Sequence, residues 1–224
     1  MTYGRDDSAF DHALIAAAFS VMAERGWRGL TVAEAARRAG LPLDQARRRF
    51  PDRFAILSVF GRQADEAALA RPLPGGEIRD RLLDILMRRI DVLQLHRQGM
   101  LALLTAVPFD PVLALFLARR NRASMGWLLE GAGIPSGGIL GGLRIKGLLT
   151  VWLWTIRAWS RDETEELGPT LAALDVALER AEQFAALLPS VQPVGSEADE
   201  EDAGVHAAPE QRVAVPPDDP PPPA

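Results

Sequence analysis

Hydrophobic residues recur at helical spacing in every long segment before residue 188, and no segment joins strand-like alternation to hairpin turn residues. That property alone restricts the chain to an all-α fold. The breaks between helices are chemical. Ser8 is placed to cap a first helix, with Asp11 three residues on, and Arg25-Gly26 ends it. Thr31-Val32-Ala33-Glu34 has the spacing of a full capping box and opens a short helix that closes at Ala39-Gly40. A second short helix follows Leu41-Pro42 and stops near Phe50, because Pro51 disfavours helical geometry in the residue before it. Asp52 then caps a longer helix running to about Ala70.

The run RPLPGG at 71–76 is the clearest internal break. Beyond it the periodicity predicts helices at 77–95, 97–106, 109–131, 138–160 and 164–187. The expected plan is about nine helices: a helix-turn-helix head over 1–70 and a helical body over 76–188. From Pro189 the Pro-rich, acidic composition cannot bury enough apolar surface to fold, so 189–224 is expected to be a disordered tail.

The net charge of −5 argues against a nucleic-acid partner only if it is evenly spread. It is not: the tail carries −7, which leaves +2 for the rest. Between Glu24 and Arg53 eight arginines face four acids, a local +4. Positive charge therefore gathers at the two short helices.

Two short helices joined by a tight Ala39-Gly40-Leu41 turn suit a helix-turn-helix that presents its second helix to a major groove. On that second helix Ala46 and Phe50 fall four apart and point inward, leaving Leu43, Asp44, Gln45, Arg47, Arg48 and Arg49 as the outward, DNA-facing set. Arg reads guanine and Gln reads adenine through paired hydrogen bonds. Thr31 and Arg53 stand at helix starts, where phosphate contacts gain from free backbone N–H groups.

The run AFSVMAERGWRGLTVAEAARRAGLPLDQARRRFPDRFAIL, Ala18 to Leu57, resembles the N-terminal domain of the TetR-type (tetracycline-repressor) transcriptional regulators. The resemblance implies a DNA-binding homodimer with a ligand-binding helical body, in which Thr31 and Arg53 match the phosphate-contacting Thr and helix-four Lys of that family. Arg47 stands where the family has a backbone-contacting Tyr, and Pro42 where it has a Ser or Thr cap. Arg47 keeps a phosphate donor but loses the aromatic packing.

In the body, the helix at 138–160 carries two apolar stripes: Leu148, Trp152, Thr155, Trp159 and Gly147, Val151, Trp154, Ala158. A helix apolar on opposite sides must be covered on both. The second stripe, with Leu174 and Leu178 of the following helix, is expected to be a dimer face, matching the last two helices through which TetR-type proteins are similar to one another as four-helix dimers. Met87, His96, Met100, Leu103, Phe109 and Trp127 mix adaptable and aromatic side chains and are expected to line a pocket for an apolar small-molecule effector.

Residues Leu143 to Phe184 also look similar to the ubiquinone-biosynthesis accessory proteins of TetR-type fold, through the aromatic-rich helix, Trp159-x-x-Asp162 and Leu174-Asp175. That resemblance implies an alternative function, an isoprenoid-lipid-binding accessory protein without DNA binding. The acidic tail argues against a membrane partner, since an anionic bilayer surface would repel it.

No enzyme is expected. The sequence has no G-x-S-x-G, no H-E-x-x-H and no phosphate loop, and only His12 and His96 precede the tail. Without cysteine it has no thiolate metal site, and no cofactor or metal is expected. Acidic residues flank the apolar run ALIAAAFSVMA where a signal peptide needs basic ones, so a cytoplasmic protein is expected.

Overall fold

In a computed structural model, which describes residues 3–70 and 75–186, every regular element among the described residues is helical. In chain order these are α1 (Tyr3–Gly29), α2 (Val32–Arg38), α3 (Leu43–Arg49), α4 (Arg53–Leu69), α5 (Ile78–Gln94), α6 (Arg97–Ala106), α7 (Pro111–Gly131), α8 (Gly138–Trp159) and α9 (Gly168–Ala186). A 3-10 turn, Val107–Phe109, joins α6 to α7. The expected tail and the first part of the 71–76 break lie outside the described residues.

The local chemistry accounts for most boundaries. Thr31 Oγ1 accepts from Glu34 N at 3.1 Å and starts α2. The capping box is half made, because the Glu34 carboxylate turns instead to Arg37 and Arg25, at 2.7 and 3.1 Å. α2 ends in a Schellman motif: Gly40 adopts φ 66, Gly40 N donates to Arg37 O and Leu41 N to Ala36 O. Asp52 caps α4 by accepting from Ala55 N at 2.9 Å.

Two starts differ from expectation. α1 begins at Tyr3, so Ser8 lies within the helix, where serine costs only about 0.5 kcal/mol relative to alanine. Gly26, at φ 69, kinks the helix where its end was expected, and helical residues resume as far as Gly29. α9 begins at Gly168 and not at 164, because Asp162 gathers 162–170 into a hydrogen-bonded turn.

α1 buries Leu14, Ile15, Ala18, Phe19 and Met22 and packs along α6, joining head and body. The approach depends on Gly99: a Cβ there would lie 2.2 Å from the Phe19 carbonyl oxygen. Gly99→Ala gains about 1 kcal/mol of helix propensity, but the backbone clash costs more, about 1–3 kcal/mol or above. A net destabilisation of about 1–2 kcal/mol is expected in urea unfolding.

α4 packs on α5 and α7, α7 on α8, and α8 on α9. α8 is long and apolar enough to cross a membrane. It carries Arg144 and Lys146, and it buries Leu148, Val151, Trp152, Thr155 and Trp159 within the chain.

Candidate nucleic-acid interface

α2 and α3 are seven residues each, too short to be stable alone, and are held by what they bury. Ala35, Ala36, Ala46 and Phe50 are all buried, and the small alanines let α2 settle closely onto α1 and α3 onto α2. Pro42 occupies the N-cap of α3 in extended geometry, and no side chain caps the helix. This arrangement sets which face of α3 is outward.

Leu43, Asp44, Arg47 and Arg48 are exposed on that face, and Gln45 is half-buried. Arg48 pairs with Asp44 one turn back at 2.8 Å, a contact between two exposed groups that adds little stability. It leaves both able to turn toward a base edge.

Arg49 does not belong to the outward set. Its guanidinium donates to both carboxylate oxygens of Asp11 at 2.7 Å and lies 2.8 Å from Asp7. Asp11 first and then Asp7 raise its pKa further. The residue pins α3 to α1, and its position in an arginine triplet could not distinguish that from a DNA-facing one.

The other arginines between Glu24 and Arg53 sort by partner. Arg25 and Arg37 pair with Glu34, and Arg38 with Glu24. Arg28, Arg47 and Arg53 make no ion pair among the described residues and instead donate to backbone carbonyls, those of Phe109 (3.5 Å), Pro51 (3.1 Å) and Trp27 (3.3 Å). A neutral acceptor orients a guanidinium without cancelling its charge. All three line one open cleft of about 570 Å³, together with Thr31, Leu43 and the α4 cap Asp52. Arg28 was not among the predicted site residues; its place one residue beyond Trp27, past the Gly26 break, is the signal that could have found it.

Arg53 is set firmly. Its guanidinium carbon lies 4.2 Å from the Trp27 ring centre, and Trp27 Nε1 donates to Asp110 Oδ2 at 3.0 Å. Asp110 also caps α7 through Leu113 N. Its carboxyl pKa is held down by the Leu113 N–H bond and, after that, by the Trp27 bond and nearby Arg53, against the opposing effect of burial.

The body residues expected to line a pocket do not converge. Phe109 and Trp127 are 76% and 69% exposed and enclose nothing. Met100 and Leu103 belong to the core, and Met87 packs at its edge. His96 stacks on Phe19, ring centres 4.9 Å apart, and burial pushes its pKa down. Helical spacing gave these residues a shared length of chain but not a shared direction.

The expected dimer face is corrected in part. Val151, Leu174 and Leu178 are buried between α8 and α9 within the chain. Trp154 (53% exposed) and Gly147 face outward and Ala158 is half-buried. The large apolar side chains left exposed on these helices are instead Ile139, Leu143, Leu153 and Trp154 on α8 and Leu171, Val176 and Phe184 on α9.

No family sequence model and no curated protein matches the chain. Solved structures do. A TetR transcriptional regulator from Nitrosomonas europaea matches with a TM-score of 0.61 at 19% identity, over 78% of this chain and 99% of that one. A TetR transcriptional regulator from Rhodococcus sp. RHA1 matches with a TM-score of 0.57 at 17% identity, over 78% and 97%. The chain has the all-helical fold of the TetR-type transcriptional regulators.

Proposed function

We propose that the protein is a cytoplasmic transcriptional regulator that binds operator DNA as a homodimer and is released by a small-molecule effector. One observation carries the reading: Arg28, Arg47 and Arg53, which make no ion pair among the described residues, converge with Thr31 on one outward cleft beside the exposed face of α3. Cations gathered beside the starts of α2 and α4 suit phosphate, while Arg48 and Gln45 suit base edges. The features shared with the lipid-binding accessory proteins serve internal packing here: Trp159 Nε1 donates to Gln94 at 2.9 Å, and Asp162 holds the turn before α9. They weigh equally for any protein of this fold.

In a shift assay on DNA flanking its own gene, one fragment should bind far more tightly than the rest, with two protected half-sites about one helical turn or a multiple of it apart. Equal weak binding to every fragment would sink the reading, and tight binding to lipid vesicles in its place would favour the accessory-protein alternative.

The outer face of α8 and α9 supplies the dimer contact in this reading. Charging its centre with Trp154→Glu should convert a dimer to a monomer in light scattering, since a buried unpaired carboxylate costs several kcal/mol (~3 or more). The substitution leaves the chain folded because Trp154 is exposed. A variant that stays dimeric would move the contact elsewhere.

A further inference from the structure

Among the described residues, four buried side-chain nitrogen or oxygen atoms lack a hydrogen-bond partner, and three lie together: Asp65 Oδ1, Arg89 Nε and Arg89 Nη1. They sit where four helices meet. Asp65 comes from α4 and Arg89 from α5, with Asn121 and Ser124 on α7 and Trp152 on α8. Arg89 is 5% exposed, and its guanidinium carbon lies 4.4 Å from the Trp152 ring centre. Nη2 donates to Asn121 Oδ1 at 3.3 Å. Nε lies 3.1 Å from Asp65 Oδ1, an ion-pair distance without hydrogen-bond alignment, while Asp65 Oδ2 accepts from Ser124 Oγ at 2.5 Å.

A buried cation is tolerated only where its charge is paired and its donors are filled. Here one carboxylate engages off-axis, one amide oxygen sits at the long end of hydrogen bonding, and Nη1 has no acceptor. Burial lowers the guanidinium pKa, and Asp65 only opposes that. An apolar core needs no such group, and a structural ion pair would be served better by a bidentate carboxylate. An incoming anionic group can supply the missing acceptor.

We propose that Arg89 anchors a small-molecule site among α4, α5, α7 and α8 that takes an amphipathic carboxylate, its charged group on Nη1 and its apolar part against Trp152. The effector expected from sequence was simply apolar; the buried guanidinium adds a required negative charge. The regulatory consequence rests on the function proposed above, whereas the binding does not. Asp65 lies on α4, the helix that begins with Arg53 at the DNA-facing cleft. A carboxylate that draws Arg89 away from Asp65 therefore changes what holds α4 to the body.

The test uses octanoate and benzoate, with 1-octanol and benzyl alcohol as neutral matches, titrated calorimetrically into the full-length protein. Each acid should bind at least about tenfold more tightly than its alcohol. Arg89→Met should abolish that preference. Asp65→Asn removes the competing carboxylate and should tighten acid binding several-fold, a gain that a purely structural ion pair would not produce; it decides the matter alone if the Arg89 variant fails to fold. Acids that bind no better than alcohols, or an Asp65→Asn variant that binds acids no better than wild type, overturn the site. DNA affinity with and without octanoate is measured separately. Acid binding with unchanged DNA affinity keeps the site and overturns its regulatory consequence, while absence of any specific DNA binding overturns the regulator reading and leaves the site standing.

Discussion

Arg47→Ala combined with Arg53→Met should lower operator affinity by about a hundredfold at 0.1 M salt while changing the melting temperature little. Both guanidinium groups line the cleft and neither forms an ion pair among the described residues, so removing them subtracts phosphate-neutralising charge and breaks no salt bridge there. Methionine at 53 keeps an unbranched stem against Trp27, which Arg53 otherwise covers. Each phosphate contact contributes nearly one unit to the slope of log affinity against log salt. A two-headed dimer losing two contacts per head should therefore show a slope shallower by about 3 to 4. The loss should be uniform across operator sequences, because these positions read backbone. Arg48→Ala should instead relax the preference at one base position. Arg49→Ala is the informative contrast: its guanidinium joins α3 to Asp7 and Asp11, so it should lower stability first and DNA binding only as a consequence. If the double variant binds as tightly as wild type with an unchanged salt slope, the cleft is not the DNA contact.

That contrast marks where the sequence stops being legible. Thr31, Gly40, Pro51 and Asp52 act on their immediate neighbours, and the boundaries of α2, α3 and the start of α4 followed from them. Arg47, Arg48 and Arg49 are chemically alike in the sequence, and what separates them is an aspartate 38 residues away on α1. The inward positions Ala46 and Phe50 were correct because i and i+4 share a face whatever the tertiary context. On α8 the two stripes were real, but the buried arc is wide enough to take in Val151 as well, since α7 and α9 both cover the helix. Arg89 shares a face of α5 with Leu82, Ile85, Leu86 and Leu93, so helical spacing marks it as inward; what the sequence could not show is how incompletely Asp65 on α4 and Asn121 on α7 pair it. Composition alone does not separate Asp162, which is buried, from Glu163, Glu165 and Glu166 in the same turn, which are exposed.

Asp162→Ala should be among the most destabilising single substitutions in the body, by about 3 kcal/mol, or about 6–12 °C in melting temperature for a chain of this size. Asp162 is 4% exposed, and its carboxylate accepts from the backbone N–H and hydroxyl of Thr164 (3.0 and 2.6 Å) and of Thr170 (2.9 and 2.6 Å). Alanine would leave the buried Thr170 donors without an acceptor. The same turn receives Arg97, which donates to the carbonyls of Asp162 and Trp159 and lies over the Trp159 ring, so the loss would also loosen α8 and α9 from α6. Burial alone would raise the Asp162 pKa, but the bonds from Thr164 and Thr170 more than reverse it and hold the carboxyl down at about 2. A folded-state pKa below the unfolded value means the stabilisation is complete above about pH 4 and is lost as the pH falls toward 2. Wild type should therefore lose stability steeply in that window, and Asp162→Asn, which cannot titrate, should be less stable at pH 7 with a flatter acid limb. Since α8 and α9 carry the outer apolar face, Asp162→Ala should also weaken self-association without touching a residue on that face. A melting temperature within a degree or two of wild type, or an unchanged acid limb in Asp162→Asn, would mean that the turn is held by Arg97 and the buried Leu167 and not by the carboxylate.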